Sequence, residues 1–149
     1  MTNHLVIDTN IVIRFLTNDH PIHSPKAYEL FKLAVEGKID LYLDPFVVGE
    51  SVYVLSSKHY KFSREEISDK LKQLVEFEGI YSPEKNVILL ALDMFAKNNV
   101  DYADAFLAAR AETLGNSVVI TFNSKDFNRL GVNNREPGET IELDEEEDE

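Results

Sequence analysis

Along this chain, short unbroken apolar runs alternate with longer stretches in which apolar residues recur at helical spacing. Leu5-Val6-Ile7 and Val118-Val119-Ile120-Thr121 are of strand length and without alternation, the pattern of strands buried on both faces. Ile39, Leu41 and Leu43 alternate in a further strand that Asp44-Pro45 stops, and Gly79-Ile80-Tyr81 is a weaker one. Between them, Thr9 as N-cap begins a short helix carrying Ile11, Val12, Phe15 and Leu16, broken at Asn18-Asp19-His20-Pro21. Ser24 caps a second helix with Pro25 in its first turn and an apolar stripe of Ala27, Leu30, Phe31, Ala34 and Val35; Gly37 ends it. A third helix runs from about Pro45 towards His59. Ser63-Arg64-Glu65-Glu66 fits a capping box ahead of Ile67, Leu71, Leu74 and Val75. Ser82-Pro83 starts a helix with Val87, Leu90, Ala91 and Met94 inward, and an Ala-rich helix runs from Tyr102 to Gly115. Asn123 to Leu130 reads as a loop and a short helix. Strands alternating with helices predict an α/β fold with a parallel sheet covered on both faces, whose right-handed crossovers bring the strand ends to one edge.

Composition changes this picture little. At 149 residues the chain has the length of one domain with a sizeable core. Its 44% hydrophobic and 28% charged residues are ordinary for a globular protein. The lack of cysteine excludes a disulfide and a thiolate zinc site. No basic segment precedes an apolar stretch at the N-terminus, and Val87 to Phe95 is interrupted by Asp93 and too short for a bilayer; a cytoplasmic location is expected.

Charge matters more. The net charge of -12 argues against a nucleic-acid partner until it is divided. Positions 136–149 hold nine acidic residues and no basic one, which leaves 18 acidic and 15 basic residues over 1–135, a net charge of -3. The expected organisation is a folded body over 1–135 and an acidic tail over 136–149, solvating and largely disordered. The rarer reading of that tail is a nucleic-acid mimic folded back on a basic groove.

Three acids stand at the junctions of predicted elements. Asp8 closes the first apolar run, Glu50 lies in an otherwise apolar helix, and Asp104 opens the Ala-rich helix. Ligands of parallel α/β sheets bind beyond the carboxyl ends of the strands, where such residues can converge. Clustered carboxylates raise one another's pKa unless a cation neutralises them, and hard oxygen donors suit Mg²⁺ or Mn²⁺. Each acid also has a plainer reading. Asp8 can cap the next helix, with Thr9 and Asn10 as turn residues; Asp101 and Asp104, three apart, can answer a helix dipole. Glu50 can occupy a narrow exposed face shared with Ser57 and Lys58.

Val-Ile-Asp-Thr-Asn at 6–10, the helical Glu50, Asp-Tyr-Ala-Asp-Ala-Phe-Leu-Ala-Ala at 101–109 and Ile-Thr-Phe-Asn-Ser-Lys-Asp-Phe at 120–127 resemble, in order and spacing, the motifs of PIN-domain ribonucleases up to about Arg135. Size and single-domain layout are most similar to VapC-type toxins, which are paired with antitoxins. The resemblance implies a PIN-like three-layer α/β/α fold with a central parallel sheet of about five strands. It implies an endoribonuclease using Mg²⁺ or Mn²⁺, with Asp8, Glu50 and Asp104 at the metal. Carboxylates hold the cation, which acidifies a water for in-line attack and leaves a 5′-phosphate and a 3′-hydroxyl. Thr9, Asn10 and Asp101 are supporting positions, and Thr121 hydrogen-bonds Asp8 in the family's manner. The family's fourth acidic position falls on Asn123, which supplies an oxygen but no charge. Asp126 either substitutes for it or caps the short helix, and capping is the favoured reading. An RNA substrate, a homodimer and an antitoxin partner follow from the same resemblance.

RNA needs cationic contacts. Arg14, Lys58, Lys61, Lys125 and Arg129 are the candidates, of which no more than about half are expected to touch phosphate. Tyr53, Tyr60 and Tyr102 can stack on unpaired bases, though packing accounts for them as well. Tyr53, Val54, Phe62, Phe77 and Phe95 are expected on exposed helix faces, as partner surfaces or as completion of the core. His4, His20, His23 and His59 receive no catalytic role. Among rivals, a haloacid-dehalogenase-like phosphatase needs an Asp where Asn10 stands. A PIN-fold RNA- or protein-binding module with weak or lost catalysis, a housekeeping RNA-processing nuclease and a structural partner subunit are the other readings.

Overall fold

The computed structural model describes residues 4–138, so most of the acidic tail lies outside the described residues. The order is β1 (His4–Val6), α1 (Thr9–Thr17), α2 (His23–Val35), β2 (Asp40–Tyr42), α3 (Pro45–Leu55), α4 (Arg64–Val75), β3 (Ile80–Tyr81), α5 (Lys85–Lys97), α6 (Tyr102–Thr113), β4 (Val119–Ile120), α7 (Ser124–Arg129) and β5 (Asn134–Arg135). The class is α/β and every strand pairing is parallel. The five strands do not share one sheet. β1, β2 and β3 form a sheet in that order, with Leu5 opposite Leu41 and Leu41 opposite Ile80, while β4 and β5 form a separate two-stranded ladder.

That division corrects the expectation that both apolar runs are buried. Val6 is 75% exposed and Ile120 49% exposed, and β1 and β4 each pair on one side only among the described residues. Ile7 alone of the first run is buried. A run this short carries no period from which the number of covered faces can be read.

The core is helical in character. Leu41 and Leu43 from the sheet meet Val12, Phe31, Val48, Leu55, Ile67, Leu71, Leu74, Ile88 and Leu92, all fully buried. A satellite cluster of Ala108, Ala111, Phe127 and Val132 seats α7 against α6. The expected inner stripe of α5 is rotated: Val87, Ile88, Ala91, Leu92 and Phe95 are buried, and Leu90 and Met94 only partly. Phe95 is thus core rather than surface, and Val54, Phe62 and Phe77 pack against the core; Tyr53 alone of the expected exposed set is open.

The caps explain where the helices start. Asp8, not Thr9, caps α1, its carboxylate accepting from the Ile11 N–H. Ser24 lies inside α2 and accepts from the His20 N–H, so it is not a cap. The Ser63–Glu66 capping box of α4 is complete in both directions. Arg64 beside it donates to the carbonyls of Phe95, Asn98 and Val100 at 3.1, 2.9 and 2.7 Å and lies 4.3 Å over the Phe95 ring. It therefore closes the C-terminal end of α5, where orphan carbonyls need donors. α3 ends at Leu55, short of His59. Gly79, at φ +83°, brings the chain so close to α2 that a Cβ there would sit 2.2 Å from the Ala34 carbonyl oxygen. No helix of the described residues is long and apolar enough to cross a membrane.

Candidate active site

The predicted acids gather in two groups, one joined by Thr9 and one by Asn123. In the first group, the end of β1 delivers Asp8 and Thr9. The Thr9 hydroxyl donates to Glu50 Oε1 at 2.7 Å, across 41 residues of sequence. Glu50 lies on the exposed face of α3, so no desolvation argument applies to it. The carboxylate of Asp8 is engaged as the cap of α1.

In the second group, α6 presents Asp104 in its first turn and α7 presents Asp126 in its own. The Asn123 side-chain amide lies between them, donating to Asp104 Oδ2 at 3.2 Å and to Asp126 Oδ2 at 2.8 Å. Asp126 is therefore not the helix cap that was expected. The N-cap position is Asn123, whose side chain makes no capping bond. Burial, reinforced by the charges of Asp126 and then Asp101, pushes the Asp104 carboxyl above its ordinary value, against a smaller opposing effect of the Asn123 hydrogen bond. Thr121 Oγ1 accepts from the Asn123 N–H at 2.8 Å, which fixes the turn rather than reaching Asp8. Asp101 is the N-cap residue of α6 but makes no side-chain capping bond.

Glu50 and Asp101 line one cleft of about 1050 Å³, together with Gly49, Tyr102 and Phe106. Gly49 places α3 near the Tyr102 ring, where an added Cβ would stand 3.6 Å from it. Tyr102 is nine-tenths buried, burial pushes its phenol up, and its hydroxyl has no hydrogen-bond partner among the described residues.

A family model for the PIN domain matches residues 5–133. The chain belongs to the PIN domain family. A comparison with curated proteins returned no match. PIN domains are generally nucleases, commonly acting with divalent metal ions. The donor chemistry of this PIN domain suits such an ion: hard carboxylate oxygens, and in the second group more negative charge than one amide can offset. Among the described residues, however, no group of three or more His, Cys, Asp or Glu is arranged to hold a metal.

The basic candidates divide in the same way. Arg14 is paired with Asp19 at 3.0 Å, and Asp19 also accepts from Thr17 and Tyr60. The Thr17 hydrogen bond above all, with those of Tyr60 and Arg14, lowers the Asp19 carboxyl to about 2 despite some desolvation. Tyr60 is thereby tied to the end of α1. Arg129 donates to the Asn99 carbonyl. Lys58, Lys61 and Lys125 are exposed. The sequence reading missed Phe46. Phe46 lies four residues before Glu50 and Tyr53 three after it, which puts all three on one helix face and was the available signal.

Proposed function

We infer that this PIN domain is a metal-dependent endoribonuclease of the VapC type, hydrolysing RNA phosphodiester bonds. The observation that supports it most is the Asp104 carboxyl, held above its ordinary range beside Asp126 and Asp101 with only an amide between the acids. Asp8, Glu50 and Asp104 are the residues that would hold Mg²⁺ or Mn²⁺, with Thr9, Asn10, Asp101, Thr121, Asn123 and Asp126 in support. When bound, such an ion supplies an acidified water and offsets charge on the phosphate. The chain's own contribution is positional. Thr9 orients Glu50, and Asn123 holds Asp104 and Asp126 in one arrangement. Lys58, Lys61 and Lys125 are exposed and would make the phosphate contacts. The homodimer and the antitoxin partner belong to this reading, and exposed Val6, Ile120 and Phe122 are apolar surface on which a second chain can pack.

The test is cleavage of a panel of structured and single-stranded RNAs with and without Mn²⁺, with Asp104→Asn as control. Metal-dependent cutting by the wild type alone is expected. Cutting that survives both chelation and the substitution rules the reading out. Asn123 favours one alternative, an RNA- or protein-binding PIN module with lost catalysis, because it removes a charge from the second group. A Mn²⁺ titration of wild type and Asp8→Asn separates the two: binding that the substitution abolishes supports the nuclease.

A further inference from the structure

We propose that Arg129 is a positioning residue for the second acidic group: through Asn99, in the loop between α5 and α6, it fixes where α7 stands and so sets Asp126 against Asp104. This rests on the nuclease reading above and adds a residue to it. The difficulty that Arg129 answers is repulsion. Asp104 and Asp126 bring like charges together from two different helices, and the Asn123 amide bonds to both. Such charges drive their helices apart unless the backbone is held. α7 has six residues, too few to be stable as an isolated helix, so its place is set by what it touches. Phe127 anchors its middle against Ala108 and Ala111. Asn123 ties its start. Arg129 ties its end, Nη1 donating to the Asn99 carbonyl at 2.9 Å across 30 residues of sequence.

Asn99 is a firm anchor because it is held from a second side. Arg64 of α4 donates from Nη2 to Asn99 Oδ1 at 3.2 Å, while its Nη1 takes the carbonyls of both neighbours, Asn98 and Val100. Val100 is itself buried. The segment then runs directly into Asp101 and the first turn of α6, where Asp104 stands. Two arginines from different helices thus converge on one residue at the root of Asp104. Arg129 also stands three residues after Asp126, a spacing that puts the two side chains within reach of each other. Yet among the described residues Arg129 makes no ion pair, and its guanidinium bonds a neutral carbonyl instead. The arginine therefore supplies position and leaves the surplus negative charge of the group in place.

The experiment uses the full chain, with Mn²⁺ binding followed by calorimetry and steady-state cleavage of one RNA measured across a range of salt. Arg129→Met should lower kcat about tenfold and weaken Mn²⁺ binding about tenfold, the low end for a supporting interaction. KM and its salt dependence should hold. Arg129→Lys, which keeps a donor able to reach the carbonyl, should restore both quantities. Asn99→Ala removes no charge and spares the carbonyl that Arg129 uses, but frees the anchor from Arg64. It should move kcat and Mn²⁺ affinity in the same direction by a smaller factor. Arg129 and Asn99 are exposed, so melting temperatures should change little. An Arg129→Met enzyme with raised KM, a flatter salt dependence and unchanged kcat makes Arg129 a phosphate contact; that overturns the proposal and leaves the nuclease reading standing. Unchanged kcat and Mn²⁺ affinity per folded molecule overturn it as well, whatever the melting temperature. A wild type that neither cuts RNA nor binds Mn²⁺ removes the nuclease reading and this proposal with it.

Discussion

The two acidic groups, one at the start of α1 and one at the starts of α6 and α7, are built on opposite principles. On the β1–α1 side each carboxylate has its own donor. Glu50 accepts from Thr9, and Asp8 accepts from the first turn of α1, where the helix dipole also favours its charge. On the α6–α7 side, Asp104 and Asp126 share one Asn123 amide, and Asp101 adds repulsion. The first group is satisfied as it stands; the second holds surplus negative charge. A site that recruits a cation needs both features, fixed geometry in one place and unbalanced charge in another. On the nuclease reading proposed above, affinity for a metal would reside mainly with Asp104 and orientation mainly with Thr9 and Glu50.

The largest test of that division is Asp104→Asn. Removing a partner of a metal ligand already costs roughly ten- to a hundredfold, so loss of a ligand in the charged group should cut RNA hydrolysis by more than about a hundredfold. Circular dichroism should show the fold intact. Cleavage within a few-fold of wild type would shift the chemistry to the β1–α1 group and dissolve the comparison.

Thr9→Val probes the other side. It removes the 2.7 Å bond that holds an exposed Glu50 in place while keeping the side chain's shape. Turnover should fall about tenfold, at the low end for a supporting hydrogen bond, with little change in melting temperature. If turnover is unchanged, Glu50 is oriented by something other than Thr9.

How much of this was legible in the sequence follows the same physical line. The α/β class and the Ser63 capping box came from patterns that are local and repeated, so they survived. The strand faces did not. Val6 and Ile120 sit in runs too short to carry a period, and burial there depends on which strands meet, a long-range property. The candidate acids were readable because carboxylates at element boundaries are rare in apolar surroundings, yet their grouping was not. Nothing in the spacing foretold that Asn123 would bond to both Asp104 and Asp126, or that Thr121 would turn to the Asn123 N–H. Phe46 was missed because a single aromatic residue after a proline reads as core until its helix face is known to be open.

Asn123→Asp sharpens the comparison from the charged side. It replaces the shared donor by a further carboxylate, so Mn²⁺ should bind at least about fivefold more tightly, the factor given by one added charge even at the fully hydrated limit. Without metal the same variant should melt lower, since three acids would face one another with no amide between them. Calorimetry showing equal or weaker Mn²⁺ binding would place position 123 outside the metal's surroundings.

The smallest expected effect is a difference in pH dependence, and it isolates the surplus charge without any metal. Asp104 has its folded-state carboxyl raised above the ordinary 3.8, first by burial and then by Asp126 and Asp101. Between the ordinary value and the raised one, the folded protein holds a proton that the unfolded chain has released, so stability falls as pH rises through that window. The penalty is absent below it, where Asp104 is neutral in both states, and fully present above it. Asp104→Asn is neutral throughout and so carries no such slope. Melting curves from about pH 3 to 7 should therefore show the variant gaining on wild type as pH rises and levelling off once Asp104 is ionised. Taking the difference between the two proteins cancels the other titrating carboxylates. Adding Mn²⁺ at neutral pH should close the gap, because the cation relieves in wild type what the substitution relieves in the variant. A difference in stability that is constant with pH would mean that Asp104 is no more strained than the acids beside Thr9.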